Sequence, residues 1–454
     1  MEDKNYKNFD SIEDIPAKTP ELEEIPAKSH KLLLRIIAVA AAVAFIVGIF
    51  SFLPRRGEKA MALTEPEYPK MIDEEDIDGQ MERFEANPIE PEFIDGVKEF
   101  SYETASEVLG DSKANQNFSP LSLYYALAIS ANGAEGETQK ELFELLNVDN
   151  AEYLLKQAGN MYRMTYNVND LGSLKIANSL WIQEGFNCKQ DFLDGASKDL
   201  YSSVYAVDFQ SDSASKQMSK WIEDNTNGSL TPEISVSPDK LLSIINTIYF
   251  KDQWVDRFDK NKTKPDVFHT AAGEDVNCDF MNAHYASAGF STGEGFTRAY
   301  LSLKNSGSMV FILPDEGVSV ESLVKDSEKL KEAFEGGESH VGEVIWQIPK
   351  FNFGSSFDLR ESLETLGVKS AFSPDADFSG ITDQQLFMSG VRQDSHIAID
   401  EIGVEASSFT QIDYCGACMP EGRAEMILTR PFIFGISDRN GLLFMGICNN
   451  PLES

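Results

Sequence analysis

Near its C-terminal end the chain reads Asp400-Glu401-Ile402-Gly403-Val404-Glu405-Ala406-Ser407-Ser408, and no helix or strand periodicity returns before Arg430-Pro431-Phe432. A strand-like segment, Ile397 to Ile399, leads into this stretch. A tract of roughly 20 residues without structure of its own is uncommon in a compact domain and marks a functional or a disordered loop. This one opens on a glycine and a row of small side chains, so the surrounding fold must present a long, slim loop and hold both of its ends.

The remaining composition narrows what such a fold does. The 454 residues are 42% hydrophobic and include 30 phenylalanines, ample for a core, which excludes disorder for most of the length. A formal charge of -35 argues against nucleic acid, whose phosphates need clustered Lys and Arg, and would steer cationic partners instead. Five cysteines, odd in number and sparse, do not make a secreted disulfide framework. Five histidines leave few candidates for a metal or catalytic site, and no metal or cofactor is assigned. There is no G-x-S-x-G, phosphate loop or H-E-x-x-H, so an enzyme is not expected.

Four segments are expected. Residues 1–31 carry the repeat Ile15-Pro16-Ala17-Lys18 and Ile25-Pro26-Ala27-Lys28 among acidic residues and read as a disordered cytoplasmic tail. Residues 32–53 end in 18 uncharged residues, Ile36 to Leu53, long enough to span a bilayer as a signal anchor. Lys28, Lys31 and Arg35 precede this run and Arg55, Arg56 and Lys59 follow it, so charge alone leaves the orientation open. Secretion after cleavage near Ala60-Met61-Ala62 is the alternative, although Arg55, Arg56, Glu58 and Lys59 crowd a region that is normally uncharged. Residues 54–92, with twelve acidic residues, five basic ones and five prolines, read as an extended, self-repelling linker. Residues 93–454 carry a net charge of -26, so the acidity belongs to the folded domain as well.

In that domain helical spacing comes early, at Phe93–Leu109, Leu121–Asn132 (with Gly133 as terminator) and Glu137–Leu146, and strands dominate later, which predicts an α+β fold. Glu343 to Phe353 alternates like one half-buried strand. Pro431–Ser437 and Leu442–Cys448 flank Asp438-Arg439-Asn440-Gly441, a hairpin signal. Several separated motifs then resemble one family. Asn117-Phe118-Ser119-Pro120-Leu121-Ser122, with Asn132-Gly133-Ala134, looks like the helix-B opening of a serpin. Trp221-Ile222 through Asn227-Gly228 resembles its helix-F exit, and Asn246 to Lys251 with Trp254 and Phe258 its central strand. Arg430-Pro431-Phe432 and Gly446 to Pro451 match the closing strands.

The resemblance implies a bacterial, membrane-anchored, inhibitory serpin. Its fold would have a helical N-terminal half, three mixed or antiparallel sheets and an exposed reactive-centre loop. The loop inserts into the large sheet after cleavage, a form of strand addition. Glu401, Gly403, Val404, Glu405, Ala406, Ser407 and Ser408 then form the hinge. Val404, Ala406, Ser408 and Thr410 are the small or β-branched alternating set, and Glu405, Ser407, Phe409 and Gln411 are their opposites. Family spacing places the reactive bond at Ala417-Cys418, and seventeen residues from Glu401 reach about 56 Å as a strand. Arg423 lies six residues beyond, and Met419 precedes Pro420. Ser119, Ser122, Asn246, Trp254 and Gln393 fall at the shutter and breach, with Gln393 where animal serpins commonly carry histidine. The implied partners are extracellular, elastase-like serine proteases engaged by a monomer on the cell membrane. A non-inhibitory surface binding module and an inhibitor of papain-like cysteine proteases are the alternatives. Cys415 and Cys418 straddle the reactive bond as a candidate redox pair.

Overall fold

A computed structural model describes residues 61–72, 76–111, 113–237, 240–305, 307–404 and 422–453. The expected signal anchor, the hinge residues from Glu405 to Ser408, Cys415 and the Ala417-Cys418 bond lie outside the described residues. Among the described residues no helix is long and apolar enough to cross a membrane.

The first half holds β1 (Met61–Thr64), α1 (Ile77–Ala86), α2 (Pro91–Leu109), β2 (Gln116–Phe118), α3 (Pro120–Asn132), α4 (Gly136–Leu146) and α5 (Ala151–Thr165). Next come β3 (Asn167–Val168), β4 (Ser173–Gln183), α6 (Gln190–Lys198), β5 (Ser202–Val207), α7 (Asp212–Asn225) and β6 (Leu242–Gln253). Strands then prevail: β7 (Lys264–His269), β8 (Asp275–Gly293), β9 (Phe296–Ser302) and β10 (Ser308–Pro314). Two short helices follow, α8 (Val320–Val324) and α9 (Ser327–Glu335), and then β11 (Glu338–Pro349), β12 (Phe351–Asp358) and α10 (Arg360–Thr365). The chain closes with β13 (Arg392–Ile399), β14 (Gly403–Val404), β15 (Arg423–Ile427), β16 (Phe432–Asp438) and β17 (Gly441–Cys448).

The helices-then-strands order is the α+β fold that the sequence predicts. One sheet has eight strands in the order β1-β5-β4-β6-β14-β13-β12, with β3 on β4. The other has nine, β15-β11-β8-β9-β10-β16-β17-β2, with β7 on β8. Hydrogen bonding runs on through the 19-residue β8, which joins two of the three expected sheets into one ladder.

Helix α3 shows how sequence sets the core. Ser119 caps it, its hydroxyl accepting from the Ser122 N–H at 3.3 Å, and Pro120 opens the first turn where no N–H is needed. Leu121, Leu123, Tyr124, Tyr125, Leu127, Ala128 and Ile129 are buried around its whole circumference. A helix apolar on every side belongs in the middle of a core. A second, smaller core of Ala177, Trp181, Val207, Met218, Trp221 and Ile222 covers the opposite face of the large sheet beneath α7.

Three expectations change. The single strand at 343–353 is two strands in different sheets, β11 and β12, parted at Lys350, whose N–H bonds the Asp279 carbonyl at 2.9 Å. One residue suffices for the exchange, and alternation continues across it. The tract after the hinge is shorter than its composition suggests, because Arg423–Ile427 forms β15, parallel to β11. Arg423 is thus held in a sheet, 2.7 Å from Glu425, and not offered in a loop. Finally, the linker 54–92 is not an extended spacer over its described part. Met61–Thr64 adds to the edge of β5, pairing Met61 with Ala206 and Thr64 with Val204. Tyr68 stacks on Tyr166 and Tyr201, with ring centroids 5.6 and 6.4 Å away, under the Lys175 ammonium. Net charge predicted self-repulsion, but an open strand edge and an aromatic slot outweigh it.

Candidate functional site

The large sheet contains an open seam. β14 pairs antiparallel with β6 through Gly403↔Gln253 and Val404↔Asp252, and with β13 through Ile399↔Val404. Beyond those two residues, among the described residues, β6 and β13 are joined by no ladder. A small void of about 20 Å³ lies just past Val404, bordered by Phe250 and Ile397. Further along the same gap a cavity of about 110 Å³ reaches from Leu242 and Asn246 on β6 to Gln393 on β13, floored by α3.

The closed end of the seam is tied tightly. Asp400 Oδ1 accepts from the N–H groups of Ile402 at 2.8 Å and Gly403 at 3.3 Å, making the turn into β14. The Trp254 indole, 1% exposed, donates to the Asp400 carbonyl at 2.8 Å, and its backbone N–H to Ile402 at 3.1 Å. Gly403 is required for space, since a Cβ there would sit 2.2 Å from the Asp252 carbonyl oxygen and 2.7 Å from Gln253 Cα. Hinge freedom was the expected role, but close backbone approach is the one the structure gives.

Glu401 is buried and bonds Thr263 Oγ1 at 2.8 Å and Lys350 Nζ at 3.2 Å. Burial works against its charge, yet hydrogen bonds from its own backbone, Thr263 and Lys350 outweigh that and hold the carboxyl below the ordinary 4.5. A depressed folded pKa stabilises fully above the unfolded value and is lost as pH falls through the folded one. Glu401 should therefore contribute about 1 kcal/mol above pH 4.5, with Lys350 partly solvent-screened, and nothing in strong acid. Urea midpoints measured from pH 2.5 to 6 should show this step in the parent and lack it in Glu401→Gln.

The middle of the seam holds the other expected residues in two branches, both starting from the first turn of α3. In one, Gln393 on β13 grips Ser119: its Oε1 accepts from the Ser119 N–H and its Nε2 donates to the Ser119 carbonyl, each at 2.9 Å. Ser119 Oγ donates onward to the Leu443 carbonyl at 2.7 Å. In the other, the Ser122 hydroxyl bonds Asn246 on β6, and Asn246 bonds Asn178 on β4. Asn178 Nδ2 reaches the Leu200 carbonyl at 2.6 Å. Gln393 thus anchors one lip of the seam and Asn246 the other. Asn178, buried mid-strand, was missed by sequence reasoning, and an Asn-Ser pair between the apolar Ile176-Ala177 and Leu180-Trp181-Ile182 was the available signal. Neither branch contains a group that titrates near neutral pH.

The family model for Serpin (serine protease inhibitor) matches residues 95–451. The chain belongs to the serpin family. This serpin is 29% identical over 370 residues to human Serpin B3, covering 75% of this chain and 95% of that one. It is 32% identical over 357 residues to an uncharacterized serpin-like protein of Methanosarcina acetivorans, covering 74% and 82%. Its fold overlays native tengpin, a thermophilic serpin, with a TM-score of 0.72 at 28% identity, across 87% of this chain and all of that one. Serpins are in general protease inhibitors and not enzymes. The seam between β6 and β13 is accordingly the site of interest in this serpin, with β14 as its entrance.

Proposed function

We propose that this chain is a membrane-anchored suicide inhibitor of extracellular serine proteases with a preference for small residues. The observation that carries the reading is β14: two hinge residues already lie as a strand at the closed end of a seam that is otherwise unpaired. Val404 is 3% exposed, so its parity points into the core. Continuing the register of β14 brings Ala406 between Phe250 and Ile397, Ser408 between Ile248 and Ser395, and Thr410 between Asn246 and Gln393. All three are small or β-branched, as a strand sliding over a packed interior requires. The target serine would attack Ala417, release the Cys418 amine and remain as the acyl-enzyme while the loop inserts. Ile36–Leu53 would hold the inhibitor on the cell membrane with its domain outside.

Incubation of the full chain with elastase tests this. An SDS-resistant complex is expected, with a released peptide that begins at Cys418. Cleavage with no complex at any ratio would instead favour a non-inhibitory binding module.

The cysteines that straddle the bond give a second expected outcome. Joining Cys415 and Cys418 with oxidised glutathione breaks that oxidant's disulfide and passes two electrons and the two thiol protons to it, leaving two reduced glutathiones. The disulfide would keep the cleaved ends tied and lower the complex yield, and reductant would restore it. Equal yields, after mass spectrometry confirms the disulfide, would sink the idea.

A further inference from the structure

Among the described residues ten large apolar side chains are exposed, and five of them, Leu63, Met71, Ile77, Met81 and Phe84, fall between Met61 and Phe84. Three form a stripe on α1. Ile77, Met81 and Phe84 follow the i, i+4, i+7 spacing that shares one helix face, and they are 73, 55 and 55% exposed. A surface helix ordinarily turns such a stripe inward. Here the side that carries Gly79 and Arg83 faces the domain, while the apolar stripe and Asp78, Glu82 and Glu85 are all exposed. Arg83 donates from Nε to the Arg163 carbonyl at 2.8 Å and from a terminal nitrogen to the Tyr166 carbonyl at 2.9 Å, at the end of α5. The Asp76 carboxylate caps the helix, accepting from the Gly79 N–H at 2.9 Å. α1 is therefore held firmly, with its apolar side out.

We infer that this stripe seats on a lipid surface with zwitterionic headgroups, beside the point where Ile36–Leu53 enters the membrane. The inference rests on the anchor reading of that run. Chain length allows it: the eight steps from Leu53 to Met61 span at most about 29 Å, and the stripe itself follows sixteen residues later at Ile77. Size argues against a second copy of the chain. A ten-residue helix is about 15 Å long, and at these exposures its single stripe offers on the order of 350 Å² where a stable protein interface needs about 800 Å² per partner. An interfacial helix needs only a few side chains to reach the boundary between headgroups and acyl chains. Charge selects the lipid, because Asp78, Glu82 and Glu85 form the neighbouring stripe one residue over and would repel anionic headgroups. Seating α1 would give the domain a second point of attachment and so a defined orientation on the membrane.

The test uses the full chain in phosphatidylcholine vesicles, with Phe84→Trp or Glu85→Trp and lipids brominated on the acyl chain. The indole introduced by Phe84→Trp should be quenched at least twofold beyond the four native tryptophans, and the one introduced by Glu85→Trp should not. Equal quenching in the two variants overturns the proposal, as does an unquenched Phe84→Trp variant that self-associates through α1. Extraction of the Phe84→Trp variant with alkaline carbonate separates the two readings. A chain that stays in the pellet with its new indole unquenched keeps its anchor and loses the stripe proposal. A chain released by carbonate while that indole is quenched loses the anchor and keeps lipid binding by the stripe.

Discussion

Ser408→Arg should turn the inhibitor into a substrate: rapid cleavage by elastase and loss of nearly all SDS-resistant complex. On insertion, the register of β14 continued from Val404 would set Ser408 between Ile248 and Ser395, on the face where Val404 is buried. An arginine there would have to enter the interior without a partner, at a cost of several kcal/mol. Insertion would stall and the acyl-enzyme would hydrolyse. Ser407→Arg is the matching control, because the same continued register would bring it between Tyr249 and His396 with opposite parity. It should keep most of the complex yield. If both variants inhibit equally well, the loop does not insert in this register.

Gln393→Leu should lower the stability of the native fold by about 2 kcal/mol, seen as a drop in the midpoint of the first urea transition. The side chain satisfies both the N–H and the carbonyl of Ser119, a residue with no exposure. Leucine fills similar space but leaves the buried Ser119 N–H unpaired, worth about 1–3 kcal/mol, and leaves the carbonyl with only its 3.3 Å bond from the Leu123 N–H. Gln393→His can restore one donor and one acceptor, and should recover part of the loss while adding a pH dependence near the ordinary histidine range of about 6.5. A parent-like midpoint for Gln393→Leu would mean that this pair does not hold β13 to α3.

Much of the site was legible because its chemistry is local. Ser119 and Pro120 announce a helix start by themselves, and the structure adds only that Ser119 also bonds β17. Asn246, Trp254 and Gln393 were expected near the seam, but their division between two lips was not. That division depends on which strand each occupies after the chain has crossed the sheet. The role of Gly403 was misread for a related reason. Its need is set by the Asp252 carbonyl, 151 residues away, and no local rule reports such an approach. Residues 61–92 were misjudged because acidity and proline are averages. One tyrosine in a slot and one four-residue strand edge outweigh them.

By itself the sequence determined the family, the α+β order, the helix caps, the closing hairpin and the alternation of small side chains after the hinge. These follow from periods of 2 and 3.6 and from capping chemistry, which act over a few residues. Only the tertiary structure decided that Val404 is buried between two strands, that β6 and β13 stand apart below β14, and that α1 shows its apolar side to solvent. Each of these depends on a neighbour distant in sequence: Val404 acquires its face from Asp252 and Ile399, and α1 its orientation from the carbonyls that Arg83 reaches on α5.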